Sequence, residues 1–230
     1  MNGLIHSSLY FGMLVSVGAY MLGVWLKKKT GRAILNPLLV AIIVVIAFLS
    51  VFHIEYKEYN RGAVYLGYFL TPATVCLAIP LYKQLELLRQ HLIAVASAIV
   101  AGGAGSVGSI YVMCRFFQLE HTHYVTLLPK SITTAIGMGV SEEAGGIVTL
   151  TVISIIITGI LGNIIADWLF QIFKIEEPIA KGLALGTAAH AIGTAKALEL
   201  GEIEGAMSSL SIAVAGLLTV VVVPLMSGLI

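Results

Sequence analysis

A lysine within a segment of apolar and hydroxyl-bearing residues is the first candidate for binding chemistry in this sequence. Lys130 follows Pro129, and Ser131, Thr133 and Thr134 come shortly after it. An ammonium near the centre of a bilayer costs at least ~2.5 kcal/mol, so it requires a partner, and an anionic substrate would be one. The hydroxyls and amides at the amino terminus of a half-helix would suit a carboxylate. The alternative is that the lysine extends to the membrane surface and that the small polar residues only pack helices together.

A histidine lies in a second segment of this kind, GTAAHAIGTAK. His190 is flanked by Thr187 and Thr194, which are further candidates for substrate binding. Because an imidazole titrates near neutral pH, His190 suits a proton relay or a hydrogen bond to a carboxylate. The alternative is a packed histidine that bonds a backbone carbonyl. No second His or Cys has metal-ligand spacing to it, so we expect no metal there.

Two adjacent carboxylates lie towards the end of the first segment. Glu142 and Glu143 point in different directions on a helix, so at most one of them faces a cavity. As carboxylates in a membrane they are candidates, together with His190, for coupling transport to protons. The alternative is that Ser141 caps the following helix, with both carboxylates in its first turn.

A third segment, LGYFLTPATVCLAIPLY, is interrupted by two prolines. Pro72 and Pro80 each remove a helical hydrogen bond and clash with the preceding turn. One interpretation is a simple kink that neighbouring helices satisfy. The other is a broken helix that faces the same cavity, with Thr71, Pro72 and Thr74 as substrate-binding residues.

The remaining polar residues give weaker signals. His121 and His123 alone do not complete a metal site. Asn163 and Asp167 are polar candidates within an apolar run, although Asp167 would also suit the membrane interface.

The chain carries no signature of an enzyme. It has no phosphate-binding loop, nucleophile elbow or zinc-protease motif, so we expect neither catalysis nor a cofactor or metal. Cys76 and Cys114 lie in apolar runs, where structural thiols are expected rather than a disulfide. The net charge of +1 gives no basic stripe, so nucleic acid is not an expected partner.

The composition requires these residues to lie in a membrane protein. Apolar residues make up 58% of the chain and charged residues 11%, whereas roughly a quarter of the residues of soluble proteins are charged. A helix that crosses the hydrocarbon layer needs ~20 mostly apolar residues. The predicted spans are 4–26, 34–53, 63–82, 92–117, 147–173 and 206–229.

Two further regions, 124–146 and 180–201, are long enough to enter the membrane but rich in Gly and polar residues. Irregular backbone at membrane depth persists only where protein or a water-filled cavity satisfies it, so we predict re-entrant or discontinuous helices. Residues 135–147 and 191–203 match at six of thirteen positions. The match indicates either an internal repeat, as in many transporters, or the shared composition of packed helices.

The charges between the spans predict an orientation. Lys27, Lys28, Lys29 and Arg32 form the densest positive cluster, so we expect this loop in the cytoplasm and the amino terminus outside. The segment KQLELLRQH at 83–91 agrees with this orientation. The start MNGLIHSSLYFG has no Lys or Arg and no small-residue cleavage site, so we expect the first segment to be retained.

Three motifs resemble a known family. The segments LTPATVCLAIPLYKQ at 70–84, LLPKSITTAIGMGVSEEAGG at 127–146 and GTAAHAIGTAKALELGEIEGAMSSLS at 186–211 are similar to the LrgB/CidB family. The resemblance covers essentially the whole chain. It implies a multi-pass protein of the bacterial inner (cell) membrane that is antiholin-like and controls murein hydrolase export and cell lysis. It also implies a small holin-like partner of the LrgA/CidA type.

The resemblance implies a second function as well. The family includes the carboxy-terminal half of the plant plastidic glycolate/glycerate transporter, and some bacterial pairs are implicated in pyruvate uptake. We favour a proton-coupled carrier for a small carboxylate anion, because helix pairing alone does not explain so many polar groups inside apolar spans. An antiholin-like regulator without transport activity is the alternative.

These expectations define one fold. We predict an all-α, polytopic integral membrane helical bundle in the lipid bilayer, with about seven or eight membrane segments, some of them interrupted or re-entrant. Residues 1–230 would form a single LrgB-like domain. By analogy with elevator-type carriers, internal repeats and a homodimer are expected.

Overall fold

The computed structural model describes residues 10–31 and 34–230, apart from the side chains of residues 70, 71 and 74. Every regular element in these ranges is a helix, which confirms the all-α class. The chain divides into two compact units, one that ends at Cys76 and one that begins at Leu77. That residues 1–230 form a single domain stays a prediction.

The first unit contains four helices in its described part. These are α1 (Phe11–Thr30), α2 (Pro37–Val51), α3 (Tyr56–Gly67) and α4 (Leu70–Cys76). A side chain at Gly12 of α1 would collide with the backbone carbonyl of Tyr59, so the glycine allows α1 and α3 to approach closely. Helix α1 ends at Gly31, which adopts a left-handed φ of +66° and donates its amide to the carbonyl of Lys27 at 2.8 Å.

The second unit contains the longest helices of the described chain. Its helices are α5 (Ala78–Lys83), α6 (Leu85–Gln90), α7 (Leu92–Phe116), α8 (His121–Leu127), α9 (Thr134–Glu143), α10 (Val148–Ile172), α11 (Pro178–Leu200) and α12 (Glu202–Met226), followed by a 3₁₀ turn at Ser227–Leu229. Helices α11 and α12 form a hairpin, α7 packs on both, and α10 packs against α11. The side chains of Tyr124, Ile155 and Met207 are fully buried between these helices.

Three helices are long and apolar enough to cross a membrane in the part of the chain that the structure describes: α7, α10 and α12. They confirm the predicted spans 92–117, 147–173 and 206–229, and they identify a membrane protein. The span predicted at 34–53 is a shorter helix of 15 residues, α2. The span predicted at 4–26 begins outside the described residues. The total of about seven or eight membrane segments stays a prediction.

The basic cluster predicted to be cytoplasmic lies at the end of α1. Helix α1 carries the three lysines of the cluster in its last turn, while Arg32 lies outside the described residues.

The predicted span 63–82 is not one helix but is divided among α3, α4 and α5. Pro72 and Pro80 each lie in the first turn of a short helix, a position that tolerates proline. The predicted interruption is therefore confirmed.

Both Gly-rich regions are interrupted as predicted. Residues 128–133 between α8 and α9 are not helical, and α11 breaks at His190, which has φ +44° and ψ −134°. After each break come a short helical stretch, a turn that contains glycine, and a helix of 25 residues, α10 or α12. The two segments thus share their order of elements at the offset where their sequences match. The repeat and the elevator-type architecture stay predictions.

Glycines allow α11 and α12 to pack at short distance. A side chain at Gly186 would collide with the backbone carbonyl of Ser208 and the hydroxyl of Ser211. A side chain at Gly182 would collide with the carbonyl of Glu204. Small residues at such contacts are typical of helix pairs in membranes, where close van der Waals packing drives association.

We expect Gly186→Ala to destabilise the second unit. Overpacking costs ~1–3 kcal/mol, which exceeds the gain of up to ~1 kcal/mol from the helix propensity of alanine. The expected result is a fall in Tm of about 2–4 °C per kcal/mol. The measurement is reaction of a maleimide dye with Cys114, which is 1% exposed, during heating in detergent, with the exposed Cys76 replaced by serine.

The matched control is Gly103→Ala, because a side chain at Gly103 would meet open space. An equal Tm for the two alanine variants would contradict the packing described for α11 and α12.

Candidate functional site

A cavity of about 700 Å³ lies within the second unit, between α7, the 128–133 turn, α10 and the first half of α11. Its wall is mostly apolar, with a few hydroxyl groups and one ammonium. Its polar lining residues are Ser106, Ser109, Lys130, Ser131, Thr158 and Thr187. A mostly apolar cleft of this size with a few convergent polar groups is typical of small-molecule sites.

Small residues at helical spacing leave the space for this cavity. Gly102, Gly105, Ser106 and Ser109 follow one another on α7 at steps of three, one and three residues, which places them on one face. The contact between α7 and α11 is close, because a Cβ at Gly102 would lie 3.0 Å from the hydroxyl oxygen of Thr187.

Lys130 is the charged residue of the cavity wall. It is half-buried in the turn that follows α8, and its Nζ donates to the hydroxyl of Ser131 at 3.0 Å. The hydroxyl of Ser106 on α7 donates to the same Ser131 oxygen at 2.9 Å. Among the described residues no carboxylate lies within ion-pair distance of the ammonium. An ammonium has three donors, so two of them remain available to a ligand.

The arrangement of these groups suits an anion. A positive charge in a mostly apolar cavity gains more from an anionic partner than it would in water, and N⁺–H···O⁻ bonds are about twice as strong as neutral ones. The hydroxyls of Ser106, Ser109 and Thr158 border the same space. The first two donate to the Ser131 hydroxyl and to the Ser106 carbonyl, whereas that of Thr158 can donate to a ligand oxygen. The geometry therefore favours the ligand interpretation of Lys130 over a lysine that extends to the surface.

The predicted binding residues divide into two groups. Ser131 and Thr187 line the cavity together with Lys130. Thr133 and Thr134 are half-buried at the start of α9 and do not line it. Thr194 lies after the break in α11, where its buried hydroxyl is 2.7 Å from the hydroxyl of Ser208 on α12.

Three further predicted binding residues belong to the first unit. Pro72 is exposed on α4, whereas the side chains of Thr71 and Thr74 lie outside those that the structure describes. Their substrate-binding role stays a prediction.

His190 has the geometry of a packed histidine. It is 3% exposed, and its Nε2 lies 2.9 Å from the carbonyl oxygen of Ile155 on α10. Because a carbonyl only accepts, this nitrogen carries the hydrogen. The residue is not among those that line the cavity, and a direct role in substrate binding or proton coupling stays a prediction.

The proposed cap at Ser141 is wrong. Ser141 lies inside α9 and is fully buried, and Glu142 and Glu143 end that helix instead of beginning α10. The hydroxyl of Ser141 lies 2.6 Å from that of Thr151 on α10. Both glutamate side chains are exposed, so the burial that suggested proton coupling is not observed, and the coupling role stays a prediction.

The weaker polar candidates mostly join α10 to α11. The Asn163 amide donates to the carbonyl of Ile192 at 3.1 Å, just after the break in α11. Asp167 pairs with Lys196 at 2.6 Å. In the described ranges no group of three His, Cys, Asp or Glu residues has the arrangement of a metal site.

The two cysteines differ in their surroundings. Cys114 is buried in the apolar core between α7 and α8, as predicted for a structural thiol. Cys76, for which the same role was predicted, is exposed on α4.

Three cavity residues escaped the sequence analysis. Ser106, Ser109 and Thr158 lie in long regular helices, where a hydroxyl most often bonds the preceding turn. The spacing of small residues on α7 could indicate Ser106 and Ser109 as cavity residues, but the same spacing also fits ordinary helix packing. The contact of Ser106 with Ser131 joins residues 25 positions apart and depends on the tertiary fold.

The chain matches the model of the LrgB-like family over residues 16–229. It belongs to the LrgB-like family. The chain is 41% identical over 217 residues to the antiholin-like protein LrgB of Bacillus mycoides (strain KBAB4), 39% over 216 residues to that of Bacillus subtilis (strain 168), and 40% over 217 residues to that of Bacillus cereus (strain B4264). Each comparison covers 94% of this chain and 94% of the relative. No solved structure matches the chain.

The family match includes every element of the cavity in this LrgB-like protein. The segment 127–146, which contains LPKSIT, forms the turn with Lys130 and continues through α9. The segment 186–211 forms the end of the first half of α11, the break and the start of α12. Two of the three motifs that predicted the family therefore lie at this site or beside it.

We expect the cavity of this LrgB-like protein to hold water. In protein with Cys76→Ser, Ser109→Cys should react with a charged thiosulfonate reagent in opened membranes, because a thiolate requires a hydrated site. The matched control is Val100→Cys on the opposite face of α7, where Val100 is 55% exposed and lines a mostly apolar cleft against α12. We expect reaction at least tenfold faster at position 109. Equal rates would contradict a hydrated cavity.

Proposed function

We propose that this LrgB-like protein is an antiholin-like regulator of murein hydrolase export and cell lysis in the cell membrane of a bacterium. The observation that supports it is the name of its relatives. Proteins that match 94% of the chain at about 40% identity are called antiholin-like.

An antiholin-like role requires partner helices in the bilayer. We propose a small holin-like membrane protein of the LrgA/CidA type as that partner, with homodimerisation of the chain as a further proposal. Helix α7 offers a surface for such contact, since side chains at Gly103 and Gly108 would meet open space. Small residues on a lipid-facing helix allow another helix to approach closely.

We expect this protein to replace its Bacillus subtilis relative. In a strain that lacks that relative, expression of the chain should lower murein hydrolase activity in the culture medium and delay detergent-induced lysis. Zymograms and lysis curves measure these effects. Gly108→Leu should weaken them because a larger side chain keeps a partner helix away, whereas Gly139→Leu on α9, where a side chain also meets open space, is the matched control.

Unchanged hydrolase release, with the protein present in the membrane at the level of the relative, would contradict the antiholin-like function. Equal activity of the two leucine variants would leave that function intact and reject α7 as its contact surface.

A second candidate function is a carrier for small carboxylates such as pyruvate, glycolate or lactate. The observation that favours it is the Lys130 ammonium, which lines a cavity of about 700 Å³ and pairs with no carboxylate among the described residues. In such a carrier, movement of the interrupted helices would expose the site first to one side of the membrane and then to the other, as in elevator-type transport. Glu142, Glu143 and His190 remain the candidates for proton coupling.

We expect Lys130→Ala to abolish carboxylate uptake. Loss of hydrogen bonds to a charged group costs ~1.5–3 kcal/mol, which is about 10- to 100-fold in affinity. The measurement is uptake of labelled pyruvate, glycolate and lactate into proteoliposomes under an inward proton gradient, with and without the small partner. Lys174→Ala removes the same charge from the exposed turn after α10 and should keep uptake within about twofold.

The two experiments separate the two functions. Saturable uptake that Lys130→Ala removes and Lys174→Ala does not would support the carrier. Regulation of lysis by the Lys130→Ala protein would show that the antiholin-like function does not need the anion site. Absence of uptake in every preparation would contradict the carrier.

A further inference from the structure

The backbone angles at His190 are strained for every residue except glycine. Its φ of +44° and ψ of −134° divide α11 into two halves. Glycine adopts such angles without steric conflict, but histidine is strained there. A strained residue persists only where its surroundings fix it, so the contacts of His190 must explain the break.

Helix α10 provides these contacts. The Nε2–H of His190 donates to the carbonyl oxygen of Ile155 at 2.9 Å. The imidazole fits against Gly159, where a Cβ would lie 2.8 Å from ring atom Cε1. The amide of Asn163 holds the carbonyl of Ile192 on the other side of the break. Three positions one or two turns apart on α10 thus fix the two ends of the break.

The break determines what the first half of α11 presents to the cavity. Thr187 and Ala188 lie three and two residues before His190 and line the cavity. Thr187 also touches α7 at Gly102. After the break, Thr194 instead bonds Ser208 on α12. A change of the angle at His190 would therefore rotate or shift Thr187 relative to Lys130 across the cavity.

We propose that His190 is a positioning residue of the Lys130 cavity. Its imidazole bonds the Ile155 carbonyl, holds the break in α11 and thereby places Thr187 against α7. The ligand of the cavity rests on the proposed carrier function, whereas the geometry does not. In this role the imidazole touches neither substrate nor a transferred proton.

The rate of disulfide formation between α7 and α11 reports the position of residue 187 without any ligand. In protein with Cys76→Ser and Cys114→Ala, we join Gly102→Cys with Thr187→Cys and follow oxidation in membranes. A Cβ at Gly102 would lie 3.2 Å from the Cβ of Thr187, which is close enough for a disulfide after a small adjustment. We expect rapid formation of the bond in this parent protein.

Two variants at His190 distinguish the effect of its side chain on the disulfide rate from the effect of its backbone angles. His190→Gly accepts the backbone angles but removes the donor, and we expect the disulfide to form at least tenfold more slowly. His190→Gln restores an N–H donor near the position of Nε2, and we expect a rate within about threefold of the parent. Equal rates for the glycine variant and the parent would overturn the proposal, as would a glutamine variant as slow as glycine.

A variant on α10 tests the same contact between His190 and that helix. Gly159→Ala puts a methyl group where the imidazole lies, so it should slow the disulfide like His190→Gly. The matched control is Gly108→Ala on α7, which meets open space and should leave the rate unchanged. An unaffected rate in Gly159→Ala would overturn the proposal, even if His190→Gly failed to fold.

The Tm reports folding. Each His190 and Gly159 variant is also made in protein with Cys76→Ser alone, and its Tm is measured by reaction of a maleimide dye with the buried Cys114. Every variant that folds should keep a melting transition. If the disulfide pattern holds while no carboxylate is transported, the carrier fails and the positioning role stands.

Discussion

A helix that breaks inside an apolar surrounding leaves backbone amides and carbonyls that lipid cannot satisfy. The second unit contains two such breaks, and α10 supports both. At the first break the hydroxyl of Thr126 accepts from the amide of Ile147 at 2.8 Å, and Thr151 of α10 donates to the carbonyl of Thr126 at 2.9 Å. At the second break, Asn163 of α10 donates to the carbonyl of Ile192. The polar residues of an otherwise apolar span thus satisfy the backbone of its neighbours.

The same constraint places the candidate site. The first break brings Lys130 and Ser131 to one side of the cavity, and the residues before the second break bring Thr187 to another. Polar contacts behind the cavity wall hold these segments, and the contact of His190 with Ile155 is one of them.

The sequence predicted much of this arrangement because the breaks have a local signal. Gly-rich, hydroxyl-rich stretches of membrane length indicate interrupted helices, and Lys130 and Thr187 lie within such stretches. Spacing also determines which residues share a helical face, but not which neighbour that face meets. For this reason the sequence does not distinguish Ser106 and Thr158, on regular helices, from packing residues. It also allows the alternative of a cap at Ser141, whose hydroxyl instead lies 2.6 Å from that of Thr151.

The two proposed functions are physically compatible in one molecule. Contact with partner helices requires an outer surface with small residues, and Gly103 and Gly108 of α7 provide it. Anion binding requires an inward surface with a charge, and the opposite side of the same helix contributes Ser106 and Ser109 to it. A partner that packs on the outer side of α7 would press on the helix that forms one wall of the cavity. Regulation of lysis and movement of carboxylates would then be linked through one helix with two differently used faces.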